Sequence, residues 1–179
     1  RSTDPQNKVS YLKPTNNLDY QLLSFKPVIF LAFANDKVDN ALYLRNLSAE
    51  MHGIRNALSE AVNKGLCDVV ERSSASISDI VDVFQDPNLG PRISIFHYGG
   101  HANGFSLLLE KLDGKQELTH KDGLVPFLAK HENLKLVFLN GCSSEDQSKE
   151  LVKAGIPCTI GTSTSINDGI ATQLSIRFY

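Results

Sequence analysis

The stretch Val28-Ile29-Phe30-Leu31-Ala32-Phe33-Ala34 carries no polar side chain. It is far short of the roughly 20 residues a membrane helix needs, but it suits a strand covered on both faces. Such a strand needs helices above and below, and the sequence on its C-terminal side supplies them in alternation. Leu47, Met51, Ile54, Leu58, Ala61 and Val62 recur at helical spacing, and Gly65 closes that run. Residues 68–72 read as a second strand, 76–84 as a helix capped by Ser76 or Ser78 with Asp86-Pro87 beyond it, and 93–98 as a third strand. Residues 105–110 and 116–118 read as a hairpin around Asp113-Gly114, and 121–130 as a helix. Residues 134–140 form a fourth, buried strand, 147–154 a helix closed by Gly155, 158–162 a fifth strand, and a last helix starts at Asp168. Strands alternating with helices imply an α/β fold: a mostly parallel central sheet flanked by helices on both faces.

Residues 1–26 break this pattern. Pro5, Pro14, Asn7, Asn16 and Asn17 interrupt any period, so the segment reads as a linker or N-terminal arm, docked by Tyr20-Gln21-Leu22-Leu23. Residues 27–179 then form the domain. The chain begins at Arg1, its one Met is Met51, and its last helical stretch runs to Arg177-Phe178-Tyr179 without a cap. We read it as a piece of a longer protein.

Composition narrows the function classes. Of 179 residues, 41% are apolar and 21% charged, as in a globular domain rather than a disordered chain. Lys and Arg total 18 against 20 Asp and Glu, a net charge of −2, which argues against a nucleic-acid partner. No apolar run predicts a membrane span. Cys67, Cys142 and Cys158 are too few and too scattered for a disulfide scaffold, and no signal peptide is visible, so the expectation is a cytoplasmic protein.

The chemistry gathers at two strand ends. The third strand runs into His97-Tyr98-Gly99-Gly100-His101-Ala102, and the fourth into Asn140-Gly141-Cys142-Ser143-Ser144. In a parallel sheet both surface at the carboxyl edge, where sites collect. Gly100 and Gly141 free the backbone as it leaves each strand. Cys142 precedes a helix start, whose amides favour a thiolate, and an imidazole nearby can act as base and then acid. A Cys and a His at strand ends also occur in α/β proteins without such chemistry. His97 reads as a buried, hydrogen-bonded histidine supporting His101, not as a metal ligand, because no third ligand follows. His52, His120 and His131 read as surface residues, and Cys67 and Cys158 as inert core thiols. Gly99-Gly100 lacks the Lys-Ser/Thr of a phosphate loop.

Taken together, "FHYGGHA", "LVFLNGCSS" and "CTIGTSTSINDGIATQLSIRFY" resemble the CHAT domain family, caspase-like cysteine peptidases of the caspase, separase and gingipain group. The likeness covers residues 27–179. It implies a caspase-like three-layer sandwich, a peptidase activity with no cofactor, His101 as base and Cys142 as nucleophile. The amides of Ala102 and Cys142 would form the oxyanion hole, although the family usually has Gly after its histidine. The loop after the first strand is expected to shape the pocket for the residue before the scissile bond. There Asp36 either pairs with a basic side chain or is a solvated turn residue. Asp168 matches a late Asp of the family and either lines that pocket or caps the last helix. These carboxylates favour Lys or Arg, while Arg45 argues for an acidic residue; basic or uncharged ranks first. The resemblance further implies a protein or peptide substrate, a sensor or regulatory partner domain, and a role in bacterial defence or programmed cell death, with self-cleavage as an extension. The competing expectations are a non-catalytic scaffold module with the same fold, and another thiol-dependent hydrolase or amidotransferase.

Overall fold

A computed structural model of the chain describes residues 26–36, 43–111, 113 and 115–179. The proposed arm and its Tyr20–Leu23 anchor, most of the loop at 37–42, and Gly114 of the hairpin turn lie outside the described residues. Five parallel strands form the central sheet: β1 (Val28–Ala34), β2 (Asp68–Arg72), β3 (Ile93–Gly100), β6 (Leu136–Asn140) and β7 (Cys158–Ile160), in the order β2-β1-β3-β6-β7. β4 (Ser106–Glu110) and β5 (Gln116–His120) form a separate antiparallel hairpin. The helices are α1 (Leu47–Asn63), α2 (Ile77–Gln85), α3 (Lys121–Ala129), α4 (Glu145–Lys153) and α5 (Asp168–Phe178). Among the described residues, no helix is long and apolar enough to cross a membrane.

The two-residue period of the strands divides the core into two layers. Phe30, Phe96, Tyr98, Val137 and Leu139 point to one face and meet Ile80, Val83 and Phe84 of α2, Leu124 and Leu128 of α3, and Leu151 of α4. Ile29, Leu31, Phe33 and Ile95 point to the other and meet Leu47, Ile54 and Leu58 of α1 and Ile176 of α5. The result is a three-layer α/β sandwich, as the alternation of elements predicts. α2 starts at Ser76, whose hydroxyl accepts the Asp79 amide at 3.1 Å while the Asp79 carboxylate accepts the Ser76 amide at 2.9 Å, a capping box that decides between the two candidate caps.

Some sequence expectations change. β3 runs two residues beyond Tyr98, because Gly99 and Gly100 still pair with Phe33 and Ala34 of β1. Cys158 is exposed rather than a core thiol, because β7 is the last strand of the sheet. His131 is half-buried rather than a free surface residue, its ring 4.5 Å from that of Phe84 and 5.2 Å from that of Phe127.

Candidate active site

β3 and β6 are paired neighbours, with Gly99 opposite Asn140 at the last rung. His101 and Cys142 each lie two residues beyond that rung. Parallel strands sit about 4.8 Å apart, so equal steps past a shared rung leave the two residues side by side at the carboxyl edge. Both line one small cleft with about 50 Å³ of room for water, together with Gly100, Asn140, Gly141 and Asp168.

The backbone on the histidine side is held firmly. The His101 carbonyl accepts the Leu108 amide at 2.9 Å and lies 2.7 Å from the Tyr98 hydroxyl, which also reaches the Leu108 carbonyl at 2.6 Å. Burial pushes the Tyr98 phenol well above its ordinary range, so the hydroxyl keeps the proton it donates. The Tyr98 ring folds back under Gly100. A Cβ at Gly100 would stand 2.5 Å from both the Tyr98 hydroxyl and the Ala34 carbonyl, which is why this position is glycine.

The cysteine side is held from the far strand. The Thr162 hydroxyl donates to the Gly141 carbonyl at 2.6 Å. The Ser144 hydroxyl donates to the Leu139 carbonyl at 2.9 Å and accepts the Thr162 amide at 3.0 Å. The Ser143 amide donates to the Thr164 carbonyl and the Glu145 amide to the Thr162 carbonyl. Two amides at the start of α4 are therefore spent on this turn rather than offered to the thiol, and Glu145 and Asp146 place negative charge in its first turn. Ser143 has φ of 53°, a left-handed conformation that costs a residue other than glycine about 1–2 kcal/mol. The sharp turn directly after Cys142 leaves its side chain half-buried, with Sγ 3.9 Å from the Ile166 carbonyl.

The two loops touch at Gly141. A Cβ there would lie 2.7 Å from the Ala102 methyl and the Gly100 carbonyl, and 3.2 Å from the Ala102 nitrogen. Ala102 forms an antiparallel bridge with Leu107, flanked by bonds from Asn103 to Ser106 and from Leu108 to His101. That is the wide kind of pair, which exchanges no bonds of its own. Among the described residues, neither the Ala102 nor the Cys142 amide has a hydrogen-bond acceptor. The Gln147 side chain, 1% exposed, donates to the Asn103 carbonyl at 2.6 Å and ties the histidine loop to the helix behind Cys142.

His97 is fully buried and turns to the α1–α5 face. Its Nε2 lies 3.1 Å from Glu50 Oε1, and its Nδ1 lies 3.3 Å from the Tyr179 hydroxyl. Burial and the nearby Glu50 push the Tyr179 phenol up, so that hydroxyl stays protonated and donates to Nδ1, while Nε2–H donates to Glu50. Glu50 also accepts from Asn140 Nδ2 at 2.8 Å. His97 is thus the buried, hydrogen-bonded histidine expected, and the chain Tyr179–His97–Glu50–Asn140 ends one residue before Gly141. Among the described residues, no group of three or more His, Cys, Asp and Glu is arranged to hold a metal ion.

The two acidic candidates separate. Asp168 lines the cleft of Cys142, and its Oδ2 accepts the Asn46 amide at 3.0 Å; the cap of α5 is Asn167, whose side chain accepts the Gly169 amide. Asp36 is 1% exposed, so it is not a solvated turn residue. Its amide donates to Asn35 Oδ1, and it lines a neighbouring hollow with His101, Ala102 and Asn103 rather than the cleft of Cys142. Arg45 is exposed and lies outside the residues that line the cleft. Motif reading misses Glu50, Tyr98 and Gln147. For Glu50 a signal exists: it is three residues after Leu47 and four before Ile54, on the apolar face of α1.

Compared with models of known protein families, the chain has no match, and it has no significant match among curated proteins.

Proposed function

We propose that this domain is a cysteine endopeptidase acting on a protein or peptide substrate, with Cys142 as nucleophile and His101 as general base. The observation that carries the reading is the common two-residue step by which His101 and Cys142 leave paired strands and line one cleft. In this reading Cys142 Sγ attacks the scissile carbonyl as His101 takes the thiol proton. The carbonyl oxygen becomes an oxyanion beside the unengaged amides of Ala102 and Cys142. Collapse expels the amine, which receives the proton from His101, and leaves a thioester on Cys142. Water then attacks the thioester with His101 again as base and frees the thiol. The residues used require no cofactor. Gly100, Gly141 and His97 hold the two loops. A thiol nucleophile works in a reducing compartment, so we place the protein in the cytoplasm. The resemblance to CHAT domains supports an attached sensor or partner that activates it, in bacterial defence or programmed cell death.

The test is a diverse peptide pool incubated with the wild type and with Cys142→Ala, both checked for folding, and with the cuts mapped by mass spectrometry. Cuts made only by the wild type are expected. Their absence from the full-length protein with its activator would leave the non-catalytic scaffold as the better reading.

A further inference from the structure

His101 borders two spaces. One is the cleft it shares with Cys142; the other is an open hollow of about 170 Å³ that Cys142 does not line. The face of that hollow follows from strand pairing. Ala102 bridges Leu107, and the Leu108 amide donates to the His101 carbonyl at 2.9 Å, so His101 stands opposite Leu108. Leu108 in turn stands opposite Leu118 of β5. Residues opposite one another in antiparallel strands point to the same face, about 5 Å apart. His101, Leu108 and Leu118 therefore form a row across that face. Ser106 and Gln116, two residues along their strands from the leucines, share it. All five line the hollow. Leu108 is 8% and Leu118 62% exposed, so the row runs from the imidazole over a covered leucine to an open one.

The chemistry of the proposed reaction decides what this row meets. As the tetrahedral intermediate collapses, the C–N bond breaks and its electron pair stays on nitrogen. That nitrogen takes the proton from His101, so it must lie within hydrogen-bond reach of the imidazole. The acyl carbon stays on Cys142. The acyl part of the substrate therefore occupies the Cys142 side, and the chain that leaves with the amine starts on the His101 side. From this we infer that the hollow receives the side chain of the residue after the scissile bond, and that Leu108 and Leu118 select an apolar one of about leucine size. Apolar cavities of roughly 150 Å³ hold a benzene-sized group, so an isobutyl group fits. It would cover the open Leu118. Glycine would leave that leucine in water, and a carboxylate would lose hydration against two leucines, with no Lys or Arg among the described residues that line the hollow. The assignment to a peptide position rests on the peptidase reading, whereas the preference of the hollow for an apolar group does not.

Two readouts keep these apart. The full chain carrying Cys142→Ala and labelled with 15N is titrated with leucinamide, glycinamide and the α-amide of glutamate, while the amides of Ala102, Leu108 and Leu118 are followed by NMR. Leucinamide is expected to bind saturably there, roughly tenfold more tightly than the other two. Leu118→Thr puts a β-branched residue suited to a strand at an exposed position and is expected to abolish that preference. In the peptide-pool cleavage, cuts before Leu, Ile, Met or Val should be enriched with the wild type, and Leu118→Thr should lose that enrichment while the residue before the cut stays the same. Equal affinity for the three probes, no saturable binding, or a cut pattern indifferent to Leu118 would overturn the proposal. Leucinamide bound, with no cuts by the activated full-length protein, would mark failure of the peptidase reading; the leaving-group assignment would fall with it, and the hollow would stand as an apolar ligand site only.

Discussion

The two faces of the central sheet are built on different terms. Toward α2, α3 and α4 the core is aliphatic and aromatic, with Phe30, Phe84 and Phe96 in mutual contact at centroid distances of 5.4 to 5.9 Å. Toward α1 and α5 the aliphatic layer gives way, at the carboxyl edge, to the buried line Tyr179, His97, Glu50 and Asn140. Apolar packing fills volume without regard to direction. A buried hydrogen-bonded line sets positions, since each member tolerates only a partner at the right angle and distance. The polar burial lies on the face under the cleft, where position has most value.

The largest expected effect breaks the apolar face. Phe96→Ala removes a fully buried ring between Phe30 and Phe84 and should cost about 3–5 kcal/mol, read from urea unfolding. Next is Glu50→Leu, which conserves bulk but strands His97 Nε2–H and Asn140 Nδ2–H inside the core. A loss of about 2–3 kcal/mol is expected, with Glu50→Gln clearly milder. If Leu proves no worse than Gln, the polar line is not what holds this face. The smallest effect concerns pH on the apolar side. Burial, reinforced by Lys130, holds the His131 imidazole below its ordinary value of 6.5. A depressed folded pKa means the unfolded chain takes the proton first. The stability His131 contributes is therefore complete above about pH 6.5 and is lost as pH falls through the lower folded value. His131→Phe keeps the ring stack and should flatten that part of the stability–pH curve, measured by thermal melts across pH 5 to 8 on the order of one unit apart.

The same contrast governs how much could be read from the residues in order. β1 is legible because seven apolar residues in a row have few other uses, and α2 because Ser76 and Asp79 cap it at the right spacing. His101 and Cys142 are legible as candidates because glycines mark the points where each strand ends. Glu50 is not, since a lone acid on a helix ordinarily faces water, and only its three- and four-residue offsets from Leu47 and Ile54 hint otherwise. Asp36 and Cys158 mislead for a related reason. Burial of the first depends on the Asn35 side chain, which accepts the amides of both Asp36 and Leu44. Exposure of the second depends on strand order, a long-range property that no local window carries.

The contact of Gly141 with Ala102 has a mechanical meaning. With no room for even a methyl group between the loops, and with Gln147 bridging them from behind, the turns that carry Cys142 and His101 are tied to each other. A partner that wakes or silences this domain would then have no use for sliding one loop past the other. Its leverage would lie instead in access to the cleft, which can change while Cys142 and His101 keep their places.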